Sequence, residues 1–155
     1  MQGKILLGAA LVAVLLTSGC GGAPRNDAGQ VTAPATTDAF QVKVGDCTGD
    51  LSTGTVSDVG LIPCDQPHYY EAYASKQMTD TTYPGETDTQ DQANTFCADA
   101  FKPWMGISID DSKYGDGVRF FNPTSSSWEM KDREILCFVG SSDGGIKGSL
   151  KGAKK

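Results

Sequence analysis

His68 is the only histidine in the chain, four residues after Cys64 and three before Glu71. An imidazole, a thiol and a carboxylate so close together are the groups that hold zinc or form a nucleophile–base pair. Three features weigh against that chemistry. If residues 68–74 form a strand, His68 and Glu71 stand at an odd offset and point to opposite faces. Cys64 in a disulfide is neither ligand nor nucleophile. A zinc site needs further nitrogen or sulfur donors, and the chain has no second histidine. The expectation is that no metal is bound, that no catalytic residue lies here, and that Pro67, His68 and Glu71 are structural. Glu71 is expected to pair with Arg133 on another strand.

Other letters that resemble active sites read as turns. Gly140-Ser141-Ser142-Asp143-Gly144 matches G-x-S-x-G, but a nucleophile elbow needs a following helix and a later histidine. Here Gly145-Ile146-Lys147-Gly148 follows, and His68 comes earlier. Asp110-Asp111 and Asp116-Gly117 do not fit the calcium loop with its later glutamate. No Gly-rich phosphate cradle or other cofactor motif is present, so no cofactor is expected. Tyr69 and Tyr73 share the Glu71 face of the expected strand, either as an exposed aromatic ladder or as core.

The elements that position these residues follow from periodicity. Phe40, Val42 and Val44 alternate with polar residues and predict a strand closed by Gly45-Asp46. Further strands are expected over 56–62, 68–74 and 118–121. Residues 133–139 are apolar on both faces, as in a central strand. In 87–106, Ala93, Phe96, Cys97, Ala100, Phe101 and Trp104 recur at steps of three and four, the stripe of an amphipathic helix. Thr87 or Asp88 is expected to cap it and Pro103 to end or kink it. Pro123-Thr124 opens a short helix leading to Trp128. The fold class is α+β: a mostly antiparallel sheet with one long amphipathic helix packed on it, braced by two disulfides.

The N-terminus supplies an address. Lys4 precedes an apolar run from Ile5 to Leu16, too short to span a bilayer comfortably, and small residues lead to Cys20. Thr17-Ser18-Gly19-Cys20 resembles a bacterial lipobox, with Thr17 in place of the usual leucine. Residues 1–19 are therefore expected to be a lipoprotein signal peptide, and Cys20 the lipidated residue on the outer face of the cell membrane. Residues 20–38, rich in Gly, Ala, Pro and Thr, are expected to be a flexible linker. The globular domain is expected over 39–150, and 151–155 as a basic, frayed tail.

The four remaining cysteines, Cys47, Cys64, Cys97 and Cys137, imply disulfides and permit three connectivities. Order along the chain favours Cys47–Cys64 and Cys97–Cys137, and Cys97 on the helix stripe can meet Cys137 on the central strand. Residues 38–143 carry 18 Asp and Glu against 7 Lys and Arg, while 144–155 carry four lysines and no acid. An acidic body argues against nucleic acid as a partner.

Val44-Gly45-Asp46-Cys47, Val59 to Cys64 with Pro67-His68 and Glu71, Pro84-Gly85, Cys97 with Phe101, Pro123-Thr124, Trp128, Asp132-Arg133 and Cys137 resemble, in order and spacing, the septum-formation family of actinobacterial envelope proteins. The resemblance covers roughly residues 40–150, with Lys131 standing where the family tends to have glycine. It implies a link to division or the envelope and carries no established reaction. The function expected is a lipid-anchored, non-enzymatic binding or scaffold module for an envelope protein or cell-wall component. The opposing reading is a small envelope hydrolase acting on cell-wall material.

Overall fold

The long amphipathic stretch folds as helix α1, Glu86–Met105. Thr89, Ala93, Cys97, Phe101 and Met105 form its buried stripe at steps of four, and Phe96, Ala100 and Trp104 flank it half-buried. The N-cap is Gly85, at φ 105°, rather than Thr87 or Asp88; Glu86 and Asp88 instead place carboxylates in the first turn, against the positive end of the helix. Pro103 does not end the helix, because it lies in the last turn, where a missing N–H costs only one intrahelical bond. Gly106, at φ 89°, closes the helix by giving its N–H to Lys102 O at 2.9 Å. The computed structural model describes residues 22–51 and 56–155; the signal segment and Cys20 lie outside them.

The helix packs on an antiparallel sheet of β1 (Ala35–Asp38), β2 (Cys47–Thr48), β3 (Asp58–Ile62), β4 (Tyr70–Gln77), β5 (Arg119–Phe121) and β6 (Glu134–Gly140). The order across the sheet is β1-β3-β2-β4-β6-β5. β6 has neighbours on both sides and sends Ile135, Cys137 and Val139 to the helix, Leu136 and Phe138 to the other face. The expected α+β architecture is therefore present, with disulfides Cys47–Cys64 (Cα–Cα 5.3 Å) and Cys97–Cys137 (5.6 Å). The second joins the middle of α1 to β6.

A short helix α2, Ser125–Glu129, starts at Thr124, whose hydroxyl accepts the Ser127 N–H while the Ser127 hydroxyl accepts the Thr124 N–H. Beyond it, Lys131 sits at φ 69°, a left-handed conformation that costs a side chain about 1–2 kcal/mol and suits glycine.

Three expectations are corrected. Phe40 and Val44 do not belong to a strand. Asp38 accepts the Phe40 N–H at 2.8 Å and starts a 3-10 turn over Ala39–Gln41, leaving Phe40 and Val44 about half exposed and only Val42 buried. The described part of the expected linker, residues 22–38, belongs to the fold. Arg25 grips the Asp46 carboxylate at 2.5 and 2.7 Å, Val31 is buried, and Ala35–Asp38 pairs with β3 as an edge strand. The sheet face away from α1 needs this cover, which Val31 and Ala23 help supply. The C-terminal segment is not frayed either. Leu150 is buried, and the N–H groups of Gly152 and Lys154 bond to Trp104 O and Met105 O at 2.8 and 3.0 Å, so the tail caps the end of α1. Its lysine side chains stay in solvent.

Candidate functional site

The turn after Cys64 places His68 at the mouth of β4. Its backbone N–H and C=O bond to Ile146 O and N at 2.9 and 3.0 Å, stitching the C-terminal segment to the sheet. The fully buried ring gives a proton from Nδ1 to Gln66 O at 2.9 Å, and its Nε2 has no hydrogen-bond partner. Pro67 is exposed and follows the turn that Gln66 N–H closes on Pro63 O.

Glu71 makes the second stitch. Its Oε1 accepts the Ser149 hydroxyl at 2.6 Å and its Oε2 the Leu150 N–H at 2.7 Å, with 3% of the residue exposed. Burial holds this carboxyl above its ordinary 4.5, opposed by the bonds from Ser149 and Leu150 and by His68 and Lys151 nearby. Glu71 and the sulfurs of Cys47 and Cys64 lie within 4.8 Å of one another, a possible ligand trio. In the disulfide the two sulfurs are bonded to each other, so this trio would suit a thiophilic metal only after reduction.

The expected Glu71–Arg133 pair does not form. Glu71 stands opposite Val139, whereas Arg133 precedes Glu134, which faces Gln77 at the other end of the ladder. Six strand residues put the two roughly 20 Å apart. Arg133 instead stacks its guanidinium 3.4 Å from the Trp128 ring centre and donates to Trp128 O and Asp132 O at 2.9 and 2.6 Å. Asp132 takes the Ser127 hydroxyl at 2.8 Å and the Glu134 N–H at 2.9 Å. Trp128, Asp132 and Arg133 thus fix α2 to the start of β6. Arg133→Lys loses the stacked planar fork and should cost about 1–2 kcal/mol. Combined with Glu71→Gln, its cost should add to within about 0.5 kcal/mol in chemical denaturation, the behaviour of separate sites.

The tyrosines part company because β4 begins only at Tyr70. Tyr69 is half-buried beside Gly144, where an added Cβ would stand 2.9 Å from its ring. Tyr73 is core, edge-on to Phe101, and gives its hydroxyl proton to Cys97 O at 2.5 Å; burial raises its pKa. The G-x-S-x-G stretch is a turn in which Gly144 N–H bonds to Ser141 O.

One concavity was not legible as a site in the sequence. A groove of about 610 Å³ runs beside β5 and gathers Phe40, Tyr83, Glu86, Phe120, Phe121 and Glu134 from separate elements. Asp132 contributes to its wall, so the α2–β6 junction helps shape it. A second hollow of about 440 Å³ holds Lys113, Arg119, Asp116 and Asp143 beside the Gly140–Gly144 turn. Neither is lined by Glu71, Tyr73 or His68.

Compared with known proteins, residues 22–152 match the family model described as septum formation. No curated protein and no solved structure matches the chain.

Proposed function

The chain belongs to the septum-formation family, and on that ground we propose that it is a lipid-anchored, extracytoplasmic envelope protein acting as a non-enzymatic binding or scaffold module in septum formation. The observation that carries this reading is the groove beside β5, whose walls present the aromatic side chains Phe40, Tyr83, Phe120 and Phe121. Apolar surface of this kind, rimmed by polar groups, suits recognition. A hydrolase needs convergent acids or bases with displaced pKa values facing a cleft. Among the described residues the displaced carboxyl, Glu71, is engaged with Ser149 and Leu150 outside both hollows. This arrangement supports binding over catalysis. The test is a pull-down from detergent-solubilised membranes with full-length protein, repeated with Phe40→Ala. A partner retained by the wild type and reduced several-fold by the substitution is expected, whereas equal recovery would remove the groove from the interaction.

Membrane attachment rests on Thr17-Ser18-Gly19-Cys20. Cys20→Ser should abolish incorporation of labelled palmitate and leave an unprocessed precursor or a released product. Label retained by the variant would overturn acylation at Cys20.

A further inference from the structure

We infer that the groove beside β5 takes an extended, cationic polypeptide segment of a partner protein, added as a strand to the open edge of the sheet. The inference rests on the binding reading above and names the chemistry of the occupant. β5 is the last strand of the sheet and pairs only with β6. Successive strand residues point to opposite faces, yet both Phe120 and Phe121 line the same groove. The groove therefore wraps the free edge of β5 instead of lying on one face. Among the described residues, Arg119–Phe121 make no backbone hydrogen bond to anything beyond β6. Half the backbone donors and acceptors of an edge strand face outward, and an incoming strand satisfies them while its alternate side chains meet the two faces. Here those faces offer Phe120 and Phe121, both half-buried.

Charge selects the partner. Glu86, Asp132 and Glu134 line the groove, and no lysine or arginine does. None of the three carboxylates forms an ion pair among the described residues, where the salt bridge present is Arg25–Asp46. Anionic ligands are disfavoured, and lysine or arginine side chains alternating with apolar ones fit both the walls and the rim. The chain's own lysine-rich tail is a poor candidate. It is bonded to Trp104 O and Met105 O at the far end of α1, about 30 Å of helix away from Glu86. A second copy would have to break the same bonds to donate its tail.

The experiment titrates full-length protein in detergent with fluorescent hexapeptides, read by anisotropy. An alternating Lys–Val peptide should bind saturably, and its Glu–Val counterpart should not. N-methylation of alternate backbone amides, which removes strand pairing but keeps charge and side chains, should weaken binding at least about tenfold. Glu86→Lys, an exposed change that leaves the core intact, should weaken it several-fold, and added salt should do the same. Equal binding of parent and N-methylated peptides would overturn strand addition. Equal binding of the Lys–Val and Glu–Val peptides, or an unchanged affinity in Glu86→Lys, would overturn the cationic selection. A photocrosslinker in place of Ser125, used in membranes, separates the inference from the reading beneath it. A partner captured there through an acidic or non-peptide segment overturns this inference and keeps the binding role. Capture of nothing, with an empty pull-down, removes both.

Discussion

Glu71→Ala should lower the stability of the domain by about 2–4 kcal/mol, whereas Glu71→Gln should cost less than about 1 kcal/mol near neutral pH. Alanine leaves the buried Leu150 N–H without an acceptor and removes the packed side-chain stem. Glutamine keeps a carbonyl oxygen for Leu150, and its amide can donate to the Ser149 oxygen once that hydroxyl rotates towards solvent. The two substitutions also separate in their pH dependence. Burial raises the Glu71 carboxyl above its ordinary 4.5, so the folded chain holds this proton at pH values where the unfolded chain has released it. The associated stability is present in full below the unfolded value and is lost as pH rises through the folded one. Glutamine stays neutral throughout. Denaturant titrations from pH 4 to 7 should therefore show the wild type losing ground to Glu71→Gln as pH rises. A wild type that gains on the variant over that range would contradict the assignment.

Removing the Cys97–Cys137 bridge with paired alanines should cost about 4 kcal/mol from chain entropy for its 40-residue separation, against about 3 for the 17-residue separation of Cys47–Cys64. For a domain of this size the first loss corresponds to a fall in Tm of roughly 10–20 °C. The bridges should also differ in access. Cys97 and Cys137 have no exposure at all, while Cys64 is partly exposed. A small thiol reductant under native conditions should open Cys47–Cys64 first and reach Cys97–Cys137 only as the domain unfolds. Thermal scans and timed alkylation with peptide mapping would read both effects, and early alkylation of Cys97 would reverse the order.

Helix α1, strand β6 and the bridge between them were legible because each carries a periodic signal. Cys97 falls on a stripe with period near 3.6, and β6 is apolar on both faces as a strand between two neighbours must be. β1 left no such mark. Ala-Thr-Thr-Asp has no apolar alternation, and its place comes from backbone pairing with β3, which any sequence supplies. Phe40, Val42 and Val44 alternate convincingly, but the Asp38 side chain turns the backbone before a strand forms. The partners of Glu71 were invisible for a related reason. They are a backbone N–H and a serine hydroxyl 79 and 78 positions away, groups without a sequence pattern, so a charged residue such as Arg133 was the natural but mistaken choice. The groove collects residues from Phe40 to Leu136, and only the sheet order brings them together.

The grip of Arg25 on Asp46 changes how far the domain can roam. With Cys20 acylated as proposed, five residues separate the lipid from the first fixed point, a reach of no more than about 18 Å even when fully extended. A free linker to residue 38 would have allowed more than three times that span, roughly 60 Å. The domain is then a close rider on the bilayer rather than a body on a long leash. Its encounters are confined to a thin layer above the lipid, where search is two-dimensional and the local concentration of a co-anchored partner is high. Weak contacts in such a layer achieve occupancy that the same contacts would not reach in bulk solution. Asp46→Asn, which removes the charge but keeps one acceptor for Arg25, would weaken this grip without touching a groove residue.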